Sequence, residues 1–151
     1  MLPRRTFLTS LAALAATGAA GPGFAEQPWF YSRQGAVIGG YDVVAYFTRG
    51  APVKGSSEHA VMWKGATWHF SSAANRDAFE MNPKAYAPQY GGYCAWAVSR
   101  GYTASVAPEA WQIVDGKLYL CYSKSVLSRW QRDIPAHIAS GDANWPRVLN
   151  A

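Results

Sequence analysis

The sequence predicts a small α+β domain in which two antiparallel hairpins are packed by short helices. Three observations carry this. The β-like runs His59–Trp63 and Ala66–Phe70 bracket Lys64-Gly65, and Trp111–Val114 and Lys117–Tyr122 bracket Asp115-Gly116, both two-residue turn dipeptides. Capping residues stand immediately before short apolar stretches at helical spacing. The chain has 151 residues, half of them hydrophobic and only 15% charged, which suits one folded domain and argues against extended disorder.

Taken in order, the chain opens with Pro3-Arg4-Arg5-Thr6-Phe7-Leu8, an Ala-rich weakly apolar run, the breakers Gly21-Pro22-Gly23 and a small-x-small site at Gly23-Phe24-Ala25. Residues 1–25 read as a twin-arginine export signal, with an ordinary Sec signal as the alternative, and 26–151 as the mature domain in the periplasm. The apolar run is too short and Gly-interrupted for a membrane span. Removing Arg4 and Arg5 from the 14 basic residues leaves a small excess over the 9 acidic ones, scattered singly, so nucleic acid is not an expected partner.

No repeat or interior linker stands out in the mature part, and residues 26–36 read as an entry arm. Gly39-Gly40-Tyr41-Asp42 is a turn with Asp42 capping a helix over Val43–Phe47; Arg49–Ser57 is loop. After the first hairpin, Ser71 or Ser72 caps a helix through Phe79 that stops before Pro83. Gly91-Gly92 opens a short helix over Tyr93–Val98. Beyond the second hairpin, Val126, Trp130, Ile134 and Ile138 fall at helical spacing, divided by Pro135, and Asp142 is placed to cap a last turn.

The stretch from Val61 to Ser72, with Phe79, Asn82-Pro83 and Tyr86, resembles a YHS domain. Gly39–Phe47, Gln89–Val98, Val114–Leu120 and Asn144-Trp145-Pro146 extend the likeness to the exported bacterial subgroup of YHS domain-containing proteins. The resemblance implies a metal-handling role, because other YHS domains accompany copper transporters. Those domains carry Cys directly after the second strand, where this chain has Phe70-Ser71-Ser72-Ala73-Ala74, so their ligand set does not transfer.

The candidate site is therefore read from the chain's own residues. Cys94 follows Gly91-Gly92 at an expected helix start, where backbone N–H groups would favour a thiolate; the alternative is a small buried core residue. His69 and His59 are the candidate co-ligands, giving a metal set of Cys94, His69 and His59, with Met62 as a soft ligand were the metal copper. Structural roles for both histidines compete with this. The strand register pairs His59 with Phe70, His137 is expected on the surface, and Cys121 is placed on the second strand facing away from the core. An oxidising compartment would permit a Cys94–Cys121 disulfide worth ~3 kcal/mol, although the resembled subgroup carries Asn at the position of Cys121. No catalytic triad, phosphate loop or zinc helix is present, so no catalytic residue is assigned and the cofactor, beyond a transition metal such as copper, stays open. Three functions follow: a binding module for a metal ion or small cofactor, a thiol redox protein using Cys94, or a structural or partner-binding domain.

Overall fold

A computed structural model describes residues 26–151; the expected export signal lies outside the described residues. The architecture is α+β. Three two-stranded antiparallel sheets are packed by six short helices around one aromatic-rich core. The expected entry arm holds a third hairpin, β1 (Ser32–Arg33) with β2 (Ala36–Val37), turned by Gln34 and Gly35 at φ of 54° and 81°. Helix α1 (Val43–Thr48) begins where Asp42 accepts from the N–H groups of Val44 and Ala45 at 2.9 and 3.2 Å.

Strands β3 (Ser56–Trp63) and β4 (Ala66–Phe70) form the next hairpin, with Ala60 opposite His69 and Met62 opposite Thr67 as expected. The register slips between Ser56 and Ala60, so Phe70 faces Ser56 and not His59. A bulge takes up the extra residues as β3 bends around the core. Ser72 caps α2 (Ala73–Met81), and Pro83 starts α3 (Pro83–Tyr86) after Asn82.

A 3-10 turn (Gln89–Gly92) leads to Cys94, which is the N-cap residue of α4 (Ala95–Ser99) and not part of its first turn. Strands β5 (Trp111–Val114) and β6 (Lys117–Leu120) make the last hairpin, followed by α5 (Lys124–Gln131) capped by Ser123 and α6 (Ile134–Asn144). Two expectations fail here. Cys121 lies just past the end of β6 and is buried, and Tyr119 is buried as well, because Tyr90 and Trp130 cover the face assigned to solvent. Asp142 sits inside α6 and caps nothing; its Oδ1 accepts from the Tyr90 hydroxyl at 2.9 Å. No helix among the described residues is long and apolar enough to cross a membrane.

The structure also reveals a repeat that the sequence reading does not find. Ile38-Gly39-Gly40 runs at φ of 46°, 67° and 83°, and Tyr90-Gly91-Gly92 at 57°, 62° and 84°; an extended Tyr follows each, then the N-cap residue, Asp42 or Cys94. The Asp42 N–H donates to Val53 O at 2.9 Å, and the Cys94 N–H to Ala104 O at 3.0 Å. Each short helix ends in Arg-Gly, with Gly50 and Gly101 both left-handed. Each hairpin turns through a left-handed pair, Lys64-Gly65 at 48° and 75° and Asp115-Gly116 at 51° and 75°. Each is followed by a Ser-capped helix, and the helix after that starts from an N-cap residue, Asn82 or Asp133, with φ/ψ of −152°/71° and −153°/72°. Residues 38–82 and 90–133 thus follow one backbone plan, with Asp42 and Cys94 at equivalent places.

Candidate functional site

In the first copy the equivalent place is a carboxylate hub. Asp42 is fully buried. Its Oδ1 caps α1, and its Oδ2 accepts from the Ser71 N–H at 2.8 Å, the Ser71 hydroxyl at 2.7 Å and the Asn75 side-chain amide at 2.8 Å. These donors satisfy an anion that would otherwise be costly to bury, and they tie α1, β4 and α2 together. The sequence signals only the capping role; Ser71, considered there as a helix cap, serves Asp42 instead.

In the second copy the same backbone surrounds a sulfur. The Tyr122 N–H, in the place of the Ser71 N–H, donates to Cys94 Sγ at 3.3 Å. The N–H groups of Trp96 and Ala97 lie beside the sulfur as those of Val44 and Ala45 do beside Asp42, though without cap geometry. Tyr122 and Val126 replace Ser71 and Asn75, so the two side-chain donors of the first hub are gone. What is left suits one weakly accepting anion better than a carboxylate.

The other partner is Cys121. A parallel bridge between Cys94 and Leu120 brings the two cysteines side by side, and the Cys121 carbonyl and N–H are fixed by Ala107 and Ala110 at 3.0 and 2.8 Å. Both are free thiols, at 1% and 0% exposure. The neighbouring Cys121 thiol, ahead of the surrounding backbone N–H groups, pulls the Cys94 pKa down against the opposing effect of burial. The same proximity and its own burial push Cys121 up. The two thiols therefore titrate as a pair, with Cys94 the one whose charged form its surroundings favour.

The histidines lie elsewhere. His69 is half-buried on β4, with Nδ1 against Gly40 so closely that a Cβ there would meet it at 3.0 Å. His59 is half-buried on β3, and its Nδ1 is enclosed without a hydrogen-bond partner. Met62 is exposed, its sulfur accepting from the Thr67 hydroxyl at 3.1 Å. His137, expected on the surface, is half-buried, with Nδ1 at 2.7 Å from Trp130 O and its ring edge-on to Trp96. Among the described residues, no three His, Cys, Asp or Glu side chains converge in a way that could hold a metal, so Cys94, His69 and His59 do not form one group. The partner of Cys94 is Cys121, which sequence reasoning set on the outer face of a strand.

Residues 44–90 match the model of the YHS domain family. The chain carries a YHS domain. No curated protein and no solved structure matches the chain. The matched segment covers most of the first copy of the plan, from inside α1 onward and leaving out Ile38–Asp42, and stops where the second copy begins. The thiol pair lies entirely in that second copy. Within the YHS domain, Ser71 and Ser72 are committed to Asp42 and to the cap of α2, so the hairpin end following Phe70 is occupied by structural hydrogen bonds.

Proposed function

We propose that this chain is an exported YHS-domain binding module that holds a soft monovalent metal ion, of the Cu(I) class, between the sulfurs of Cys94 and Cys121. The observation that carries the reading is that two buried free thiols are brought side by side by the Cys94–Leu120 bridge, with the surroundings of Cys94 favouring its charged form. Thiolates are soft ligands, and Cu(I) accepts two of them without further donors. A pair of thiolates around a monovalent ion leaves one net negative charge. The Tyr122 N–H on Cys94, and the backbone N–H groups of Ala95 and Trp96 beside Cys121, offset it. Full burial excludes water and competing oxygen ligands, and it also keeps Cys94 from attacking a macromolecular disulfide, which favours binding over thiol exchange. Export is supported by Arg4-Arg5 and by Gly23-Phe24-Ala25.

The test is Cu(I) titration of the mature, reduced protein against a chromophoric chelator. One ion per chain is expected, lost in both Cys94→Ser and Cys121→Ser and kept in a His59→Ala/His69→Ala double variant. Full binding by either serine variant overturns the proposal. A second reading, a Cys94–Cys121 disulfide, is favoured by the same adjacency of the two cysteines. Thiol counting in denaturant on protein isolated without reductant separates the two: two thiols are expected, and none identifies the bridge. For export, replacing Arg4 and Arg5 by Lys should block appearance in the periplasm; unimpaired export assigns the Sec route.

A further inference from the structure

We infer that the cleft between the entry arm and the end of α6 is a binding site for a small planar aromatic carboxylate. It is independent of the thiol pair. The cleft encloses about 430 Å³, within the range of small-molecule sites. Five of its twelve lining residues are aromatic, set among polar and small ones: Trp29 and Trp145 meet edge to face at 5.3 Å, Tyr90 lies 6.1 Å from Trp145, and Trp63 flanks the hairpin side. Trp29 is half exposed, unusual for so large an apolar side chain, and its free surface lines the opening.

The cleft is built before any ligand arrives. The arm is pinned by the Tyr31 N–H on Gly91 O at 2.8 Å, the Gln27 N–H on Leu149 O at 2.8 Å and the Tyr93 hydroxyl on Pro28 O at 2.6 Å. At Gly91 a Cβ would fall 1.8 Å from Trp29 O, so only glycine lets the arm pass this close. Beside it Tyr90 holds a left-handed backbone, φ 57°, stabilised through its hydroxyl on Asp142. Preformed walls reduce the ordering cost of binding.

Charge selects the ligand. Lys64 and Lys84 line the cleft, and neither is in the one ion pair among the described residues, Arg76–Asp77. Lys64 Nζ sits 4.8 Å from the Trp63 ring centre, which brings a cation and a stacking face together. Asp142 is the single acid of the lining, and Tyr90 already donates to it. Two free cations against one engaged acid favour an anion, and the rings favour a flat apolar body.

The experiment is calorimetric titration of the mature protein with 2-naphthoate, its uncharged amide and cyclohexanecarboxylate. Saturable one-site binding of 2-naphthoate is expected, with both analogues weaker by about tenfold or more. A Lys64→Ala/Lys84→Ala variant, at exposed positions that leave the fold intact, should weaken 2-naphthoate by a similar factor, and Cys94→Ser should bind it unchanged. Equal binding of the amide, full affinity in the double lysine variant, or no saturation by about 1 mM would overturn the proposal.

Discussion

Replacing Asp42 by Asn keeps the size of a buried side chain and removes the charge that its donors address. Oδ1 can still accept from Val44 and Ala45. The new amide NH2 then faces the Ser71 N–H and the Asn75 amide, donors against a donor, where the carboxylate now accepts at 2.8 Å from each. Two hydrogen bonds to a charged group are lost and two inward-facing donors are left unmet, which together cost about 3–5 kcal/mol. For a domain of this size that lowers the melting temperature by ~10–20 °C. Thermal unfolding of the mature protein followed by circular dichroism reads the change directly. The matched variant in the second copy, Cys94→Ser, gives up one long N–H···S contact and a thiol partner, and should cost only about 1 kcal/mol. A loss below about 1 kcal/mol for Asp42→Asn, or equal losses for the two variants, would refute the reading of Asp42 as a charged hub and of Cys94 as its weakly bonded counterpart.

Two further outcomes follow from the packing. Gly91→Ala forces a Cβ onto Trp29 O at a left-handed position and should release the entry arm, so limited proteolysis near Trp29 should speed up well before global unfolding does. Burial raises the phenol pKa values of Tyr46 and, with the Asp142 hydrogen bond, of Tyr90 above the ordinary value near 10. A raised folded-state value means stability present below pH 10 that is lost as pH climbs above it, so the melting temperature should fall in that window; a flat profile there would contradict the burial of both hydroxyls.

What could be read from the sequence was what short-range chemistry decides. The Asp42 cap, the two left-handed turn pairs, the Ser72 cap and the Pro83 stop each lie within a few residues of their consequence. The adjacency of Cys94 and Cys121 depends on a parallel bridge across the core, which no local spacing encodes. The burial of Tyr119 depends in the same way on Trp130 arriving from α5. His59 left its expected register because a bulge is decided by how β3 wraps the core. The repeat did leave a trace, in Gly-Gly-Tyr at Gly39 and Gly91 and in Arg-Gly at Arg49 and Arg100. It was hidden because the hairpins between share backbone angles and almost no side chains, as Phe70 against Cys121 illustrates.

X-ray absorption at the copper edge of the Cu(I)-loaded mature protein tests the central claim most directly, because it reports the donor atoms themselves. The account predicts a first shell of two sulfurs and no outer-shell scattering from imidazole, unchanged in a His59→Ala/His69→Ala variant. A shell containing nitrogen with imidazole scattering, or one that survives Cys121→Ser, would contradict it.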